Sequence, residues 1–217
     1  KDATGFNADF GFKGTVKNYL NFDVGLFYLF YDNRIGTLNQ NGGTLKTNIG
    51  TSVSKGLESY VEIDVVKILT EKSKIGSISI FASNSFIDAN YVKWNNPSLN
   101  LDPTKSIEDK RVENAPQYIN RFGATYYLKG FSATFQLNSI GDVFTDAANT
   151  EIPNASGTIG KLSGYEIMDA SLSYRFIEGY NLKAGVNNIT DEKYETRRAG
   201  GYPGPGIMPG NGRTIFV

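Results

Sequence analysis

Residues 121–138 read RFGATYYLKGFSATFQLN, and their pattern is repeated along the chain. Apolar side chains occupy every second position on both sides of Lys129-Gly130, and small or polar residues occupy the positions between them. Successive side chains of a β-strand point to opposite faces of the sheet, so this period of two predicts two strands, each with one apolar and one polar face. The Lys129-Gly130 step then predicts the turn of a β-hairpin.

The same alternation recurs along most of the chain. Apart from the two strands of the hairpin, it is found in residues 6–13, 20–28, 57–65, 78–83, 169–176, 181–187 and, as a short final piece, 213–217. No segment shows the 3.6-residue period of an amphipathic helix. The alternation therefore predicts an all-β chain with about nine strands.

The predicted connections alternate between short and long. Short links fall at residues 16–19, 66–74, 129–130 and 177–179, and longer polar stretches fall at residues 36–44, 91–116, 148–162 and 192–212. All seven prolines lie in the longer stretches, as a continuous sheet requires, because proline removes a backbone hydrogen-bond donor. Short turns at one end and long loops at the other are typical of an outer-membrane β-barrel.

A soluble β-sandwich or barrel would show the same alternation, since its apolar face would look into a core. Two features favour a membrane. The blocks run for about 10 to 20 residues, enough to cross an apolar band of about 25 Å at a tilt, whereas soluble strands average about five or six. Aromatic residues also crowd the block ends, as they do at membrane interfaces: Tyr19, Tyr28, Phe30, Tyr31, Tyr126, Tyr174, Phe176 and Tyr180. We therefore predict an antiparallel transmembrane β-barrel.

The composition excludes several classes of function. The 22 basic and 22 acidic residues balance, which argues against nucleic acid as a partner. The chain has no His and no Cys, which removes a Ser-His-Asp triad, a thiolate zinc site and a cysteine nucleophile. Three carboxylates share one face of a predicted strand: Glu58, Glu62 and Asp64. Such a row could supply the acid pair of a glycosidase, but the polar lining of a barrel lumen explains it without chemistry. We therefore expect no enzyme activity and no cofactor. We also expect no metal site, because the oxygen-bearing loop residues lack calcium-loop spacing: Asp142, Asp146 and Asn149.

A family resemblance is carried by the end of the chain. Residues 187–194, NNITDEKY, resemble the Asn-Leu-Thr-Asp-Lys-x-Tyr signature near the C-terminus of TonB-dependent outer-membrane receptors. Residues 201–206, GYPGPG, and the Gly-Arg-Thr at 212–214 are similar to that family's last extracellular loop and its entry into the last strand. Shorter similarities follow in the family's order along nearly the whole chain, at residues 28–36, 47–50, 55–58, 120–122 and 141–149. The set is most similar to the ferric-citrate-type receptors.

The resemblance implies a receptor that takes up a ferric chelate, ferric citrate or a siderophore, with energy supplied by TonB. It implies a barrel of about 22 strands around an N-terminal plug, and residues 1–217 would be the C-terminal portion of that barrel, without the plug or the earlier strands. The implied partners are the chelate, the TonB complex acting through the plug, and outer-membrane lipid. The implied location is the bacterial outer membrane, with the short turns and the C-terminus on the periplasmic side. A passive porin-like channel and a soluble, secreted β-rich binding module remain the alternatives.

Three residues are candidates for ligand binding. Arg197 and Arg198 adjoin the Gly- and Pro-rich residues 199–210, and arginine pairs bidentately with carboxylates such as those of ferric citrate. Trp94 lies in the predicted loop 91–116, where its ring could cover a ligand from above. Solvated loop arginines and an exposed loop aromatic are the alternative interpretations.

Overall fold

The structure of the chain is a computed structural model, which describes residues 2–40, 43–70, 73–95, 105–202 and 204–217. Nine antiparallel strands form one sheet in which each strand pairs with the next. They are β1 (Thr4–Val16), β2 (Leu20–Gln40), β3 (Gly43–Asp64), β4 (Ser77–Trp94), β5 (Tyr118–Leu128), β6 (Phe131–Ile140), β9 (Tyr165–Ile177), β10 (Tyr180–Asn187) and β13 (Thr214–Phe216). The described residues also hold one helix, α1 (Val65–Leu69), and two small strand pairs: β7 (Val143–Phe144) with β8 (Lys161–Leu162), and β11 (Glu195–Ala199) with β12 (Gly206–Pro209). The predicted sheet of nine strands is confirmed.

The predicted hairpin is confirmed in its register. Phe122 faces Leu137 across the β5–β6 pair and Ala124 faces Phe135, so the apolar positions form one continuous face. That face is exposed: Phe10 on the edge strand β1 is 78% exposed, and Phe135 inside the sheet is 48% exposed. Rows of exposed aromatic and aliphatic side chains are unfavourable in water and are typical of a wall that faces lipid.

The other face of the sheet is polar and lines a groove. One row of the register runs from Asp23 through Tyr60, Ser83 and Arg121 to Asn138, across five adjacent strands. A groove of about 880 Å³ follows this face from β1 to β5. The sheet therefore separates an apolar side from a hydrated side, which we name the lumen face.

The connections divide the sheet into two ends. Short connections lie at one end, the turn end, at residues 17–19, 65–76, 129–130 and 178–179. Long connections lie at the other, the loop end, at residues 95–117, 141–164 and 188–213, together with the extended β2–β3 hairpin. The predicted alternation of short and long connections is confirmed. Both β1 and β13 run from the loop end to the turn end.

One predicted link contains a helix that the alternation did not predict. Asp64 ends β3, and its carboxylate accepts hydrogen bonds from the backbone N–H groups of Val66 (3.2 Å) and Lys67 (3.0 Å). An aspartate N-cap satisfies donors that the first helical turn leaves open, so the chain begins α1 at Val65 instead of continuing the strand. At five residues, α1 is too short for a 3.6-residue period to show. No helix in the described part of the chain is long and apolar enough to cross a membrane.

The strands extend further into the predicted loops than the alternation indicated. β2 and β3 continue through residues 36–40 and 43–44, so most of the predicted loop 36–44 is hairpin. Trp94 is the last residue of β4 and not a loop residue, and Pro209 lies in β12 although the prolines were predicted to lie outside strands. Beyond the part of the sheet that has an apolar face, backbone hydrogen bonds between strands do not depend on apolar side chains. Polar residues can therefore extend the strands there. Pro209 is tolerated because β11 and β12 form a two-stranded sheet, in which each strand is an edge.

Among the described residues, four phenylalanine rings lie over a glycine of the neighbouring strand. The pairs are Phe22 with Gly14, Phe27 with Gly56, Phe81 with Gly123, and Phe216 with Gly185. A Cβ added at Gly56 would lie 2.6 Å from Phe27 Cε1, and one added at Gly185 would lie 2.5 Å from Phe216 Cζ. The rings fill the space that glycine leaves, which holds the strands in one register.

Cysteines introduced at the adjacent positions 82 and 83 of β4 are expected to report opposite environments. Ala82 lies on the apolar face opposite Phe122, and Ser83 lies on the lumen face opposite Arg121. Residues 1–217 contain no Cys, so each variant carries a single labelling site once any Cys elsewhere in the full-length protein has been replaced by Ser. In the full-length protein in a bilayer, a fluorophore on Ala82→Cys should be quenched by a lipid-restricted quencher, and the same fluorophore on Ser83→Cys should not. Equal quenching at both positions would contradict this assignment of faces.

Candidate ligand-binding loops

A small hydrophobic core, the loop core, lies at the loop end. It consists of buried side chains from β3, β4 and two long loops: Ile49, Ala89, Tyr91, Ile107, Val112 and Ala147. Trp94 packs against this core and is partly buried. Its indole Nε1 is buried and has no hydrogen-bond partner among the residues that the structure describes. Packing therefore holds Trp94 in place, and only part of its ring stays available to a ligand.

The carboxylates around the loop core are paired with donors. The Tyr91 hydroxyl donates to Glu113 Oε2 at 2.6 Å, and Glu113 Oε1 lies 3.8 Å from Arg34 Nη2. Thr51 Oγ1 donates to Asp32 Oδ1 at 2.7 Å. These half-buried carboxylates are compensated by donors, as burial of a charge requires.

Arg111 joins the β4–β5 loop to the β6–β9 loop. Its Nη1 lies 3.0 Å from Asp142 Oδ2, and its Nη2 donates to the Asp142 carbonyl at 2.8 Å. Lys161 Nζ approaches the same carboxylate at 3.3 Å, and both cations lie over the Phe144 ring, 5.3 and 5.4 Å from its centroid. Asn149 exchanges two hydrogen bonds with the Arg111 backbone, at 2.7 and 2.8 Å. We name this contact the Arg111 junction.

The oxygen-bearing side chains of this region bond to the protein itself. Asp142 pairs with Arg111 and Lys161, and Asp146 Oδ2 accepts a hydrogen bond from Thr150 Oγ1 at 2.8 Å. Within the described ranges, no group of three or more His, Cys, Asp or Glu side chains is placed to hold a metal ion.

The Arg111 junction is expected to stay closed from neutral to mildly acidic pH. Partial burial alone would raise the pKa of Asp142, but hydrogen bonds from Arg111 and Lys161 outweigh it and hold this pKa below its ordinary value of 3.8. A carboxylate with a lowered pKa stabilises the fold above its unfolded pKa, and this stabilisation is lost as the pH falls through the folded value. Amide exchange protection in residues 142–149 should therefore be constant between about pH 7 and pH 5. A loss of protection within that range would contradict the pairing.

The two candidate arginines point to opposite faces of the β11–β12 hairpin. The Arg198 side chain is 3% exposed, and its guanidinium donates to the carbonyls of Gly157 (3.1 Å), Gly160 (3.3 Å) and Lys161 (3.2 Å) in the β6–β9 loop. Arg197 is exposed, and its Nε lies 3.0 Å from Met208 Sδ on β12. Of the two, only Arg197 presents an open guanidinium.

Asn188 ties the start of the last long loop to its end. Its side chain is buried; Oδ1 accepts from the Glu192 N–H at 2.8 Å, and Nδ2 donates to the carbonyls of Glu192 (3.0 Å) and Asn211 (3.1 Å). Its own backbone N–H donates to Asp169 Oδ1 at 2.8 Å. Its φ of +53° is left-handed, a conformation in which Asn is enriched. The period-two pattern does not single out Asn188, although the family signature in residues 187–194 contains it.

Asp191 supports the same turn. Its Oδ1 accepts from the Arg213 backbone N–H at 2.8 Å, and its Oδ2 lies 2.9 Å from Lys193 Nζ. These two bonds lower the pKa of Asp191, and the bond from the Arg213 backbone has the larger effect. The signature residues therefore act by holding the two ends of one loop together.

Comparison with known families decides what this sheet belongs to. The sequence model of the family described as TonB dependent receptor-like, beta-barrel matches residues 1–189. The chain belongs to this family. Its members are outer-membrane receptors, and the lipid-facing and lumen faces of the sheet agree with that setting.

Solved structures of transport and uptake proteins share the fold at low sequence identity. The ferric citrate transporter FecA, unliganded, matches with a TM-score of 0.76 at 22% identity, covering 96% of this chain and 30% of FecA. The copper transporter OprC matches with a TM-score of 0.70 at 19% identity, covering 98% of this chain and 30% of OprC. The ferric yersiniabactin uptake receptor FyuA from Yersinia pestis matches with a TM-score of 0.68 at 16% identity, covering 98% of this chain and 29% of FyuA. The chain spans about 30% of the length of these structures.

The three predicted ligand residues of this TonB-dependent receptor lie in different settings. Trp94 belongs to the periphery of the loop core, Arg198 to the contact between two loops, and Arg197 to the exposed face of a hairpin. Among the described contacts, no hydrogen bond, ion pair or ring contact joins Trp94 to either arginine.

Proposed function

We propose that this chain is part of the wall of an outer-membrane receptor that takes up a ferric chelate, such as ferric citrate or a siderophore, with energy supplied through TonB. The family match over residues 1–189 carries the proposal. Its support in the fold is a sheet that has one apolar face, one hydrated face and long loops at a single end. Such a sheet has the properties of a passage through a membrane with a binding surface above it.

Residues 1–217 are proposed to be the C-terminal portion of a larger barrel domain. The support is that the chain covers only about 30% of FecA, OprC and FyuA while nearly all of it matches them. A plug inside the completed barrel would carry the contact with TonB. Because β13 runs toward the turn end, and short turns of outer-membrane barrels face the periplasm, the C-terminus is proposed to be periplasmic.

Arg197 is the proposed anion contact of the loops, with Trp94 at the edge of the binding surface. The exposed guanidinium of Arg197 has donors in the planar arrangement that matches a carboxylate. Arg198, the other arginine predicted from the sequence, donates its hydrogen bonds to loop carbonyls. Its proposed contribution to ligand binding is therefore indirect.

Isothermal titration of the full-length receptor with ferric citrate and with ferric catecholate and hydroxamate chelates tests the proposal. We expect one class of chelate to bind, and Arg197→Gln to weaken binding of a carboxylate-bearing chelate about tenfold, since a hydrogen bond to a charged group contributes about 1.5–3 kcal/mol. Lys129→Gln, the same loss of charge at the turn end, is the matched control and should leave binding unchanged. Absence of binding to every ferric chelate would refute the iron assignment.

A further inference from the structure

The β11–β12 hairpin and the β6–β9 loop meet at one buried cation. The guanidinium of Arg198 uses Nε, Nη1 and Nη2 on three different backbone carbonyls, those of Gly160, Gly157 and Lys161. Glu195, three residues earlier on β11, has its Oε2 3.8 Å from Arg198 Nη2 and balances the charge. A buried charge that is paired and hydrogen-bonded at all three nitrogens resists separation, because separation would leave both the cation and the carbonyls unsatisfied.

The backbones of the two loops also approach closely beside Arg198. A Cβ added at Gly157 would lie 3.4 Å from Gly206 Cα and 3.9 Å from Arg198 Nη1. Both glycines have positive φ, +68° at Gly157 and +138° at Gly206, so both loops adopt conformations at this contact that most side chains would oppose. The contact is therefore made by backbone, glycine and one arginine, and Arg198 supplies its polar bonds.

We propose that Arg198 is a positioning residue that fixes the β11–β12 hairpin onto the β6–β9 loop and thereby presents Arg197 to the ligand. The two arginines are consecutive on a strand, so anchoring one side chain inward aims the other outward. The hairpin and the β6–β9 loop then move as one body. The ligand part of this inference rests on the proposed function, whereas the joining of the loops does not.

Lysine is not expected to replace Arg198. An ammonium group is a compact point charge, whereas the three carbonyls surround a planar group at three separate nitrogens. Arg198→Lys keeps the charge and the pairing with Glu195 but satisfies fewer carbonyls. The distance distribution and the binding affinity of Arg198→Lys should therefore lie between those of the natural protein and those of Arg198→Gln.

Spin-label distances in the full-length receptor test the joining of the loops. Labels on Ala155→Cys and Gly200→Cys, both exposed, mark the two loops; residues 1–217 contain no other Cys, and any Cys elsewhere in the full-length receptor is first replaced by Ser. We expect one narrow distance distribution with Arg198, a broad one with Arg198→Gln, an intermediate one with Arg198→Lys, and a narrow one with Arg197→Gln as the matched control. A distribution that stays narrow in Arg198→Gln would overturn the proposal, whatever the receptor binds.

Titration with ferric citrate tests the presentation of Arg197. Arg198→Gln is expected to weaken binding about tenfold, and the double variant with Arg197→Gln no further, because Arg198 acts through Arg197. Broadened distances with unchanged binding would overturn the positioning role. A natural receptor that binds no ferric chelate would refute the proposed function instead, and the distance distributions would still decide whether Arg198 joins the loops.

Discussion

Asn188→Ala is expected to release the last long loop and to lower the free energy of unfolding by about 3–5 kcal/mol. The variant removes one acceptor and two donor bonds, and leaves the Glu192 N–H and the carbonyls of Glu192 and Asn211 without their partner. Each buried polar group left unsatisfied costs about 1–3 kcal/mol, and a left-handed φ costs alanine about 1 kcal/mol more than it costs asparagine.

Limited trypsin digestion of the full-length receptor measures this effect. The loop contains Lys193, Arg197 and Arg198, and cleavage there should be at least about tenfold faster in Asn188→Ala, because opening of the loop becomes more favourable. Asn187→Ala is the matched control: Asn187 is the preceding residue, its side chain is exposed and it makes no described side-chain hydrogen bond. Equal cleavage rates in the two variants would show that Asn188 does not hold the loop.

Gly56→Ala is expected to reduce assembly of the barrel by disrupting the β2–β3–β4 register. The added Cβ would overlap the Phe86 carbonyl oxygen and would lie 2.6 Å from Phe27 Cε1. A flexible side chain could move aside, but a backbone carbonyl in the sheet ladder cannot move without breaking pairs of the register. Overpacking of this kind costs about 3 kcal/mol.

The folded fraction of the full-length receptor, read from its heat-dependent mobility on a gel, measures this second effect. Gly200→Ala is the control, because nothing lies within 4 Å of a Cβ added at Gly200. We expect a clear loss of folded protein in Gly56→Ala and none in Gly200→Ala. If Gly56→Ala assembles as well as the control, the close contact between the Phe27 ring and Gly56 is not a requirement of the fold.

The period-two pattern was sufficient to predict the sheet because one face of every strand contacts lipid and the other face contacts water. Ala82 and Ser83 are adjacent in sequence, yet one must face lipid and the other water, and that demand repeats along nine strands. At the loop end this demand disappears. There β2 runs on through residues 36–40, and at the turn end Asp64 begins a helix through a cap that periodicity does not detect.

The candidate site was harder to predict because its contacts join residues distant in sequence. Arg197 and Arg198 look equivalent as a pair, and only the position of the β6–β9 loop, about 40 residues earlier, makes one of them a buried anchor. Asn188 had a visible local signal in the family signature. Its role as a bond between the two ends of a loop required the position of Asn211, which sequence spacing does not supply.

Uptake of radiolabelled ferric citrate, ferric catecholates and ferric hydroxamates by cells tests the central claim most directly. The cells would carry the full-length receptor as their only receptor for these chelates, with and without TonB. We expect uptake of at least one chelate that requires both the receptor and TonB. Uptake that continues undiminished without TonB would identify a passive channel, and absence of receptor-dependent uptake of every chelate would contradict the assignment to ferric-chelate transport.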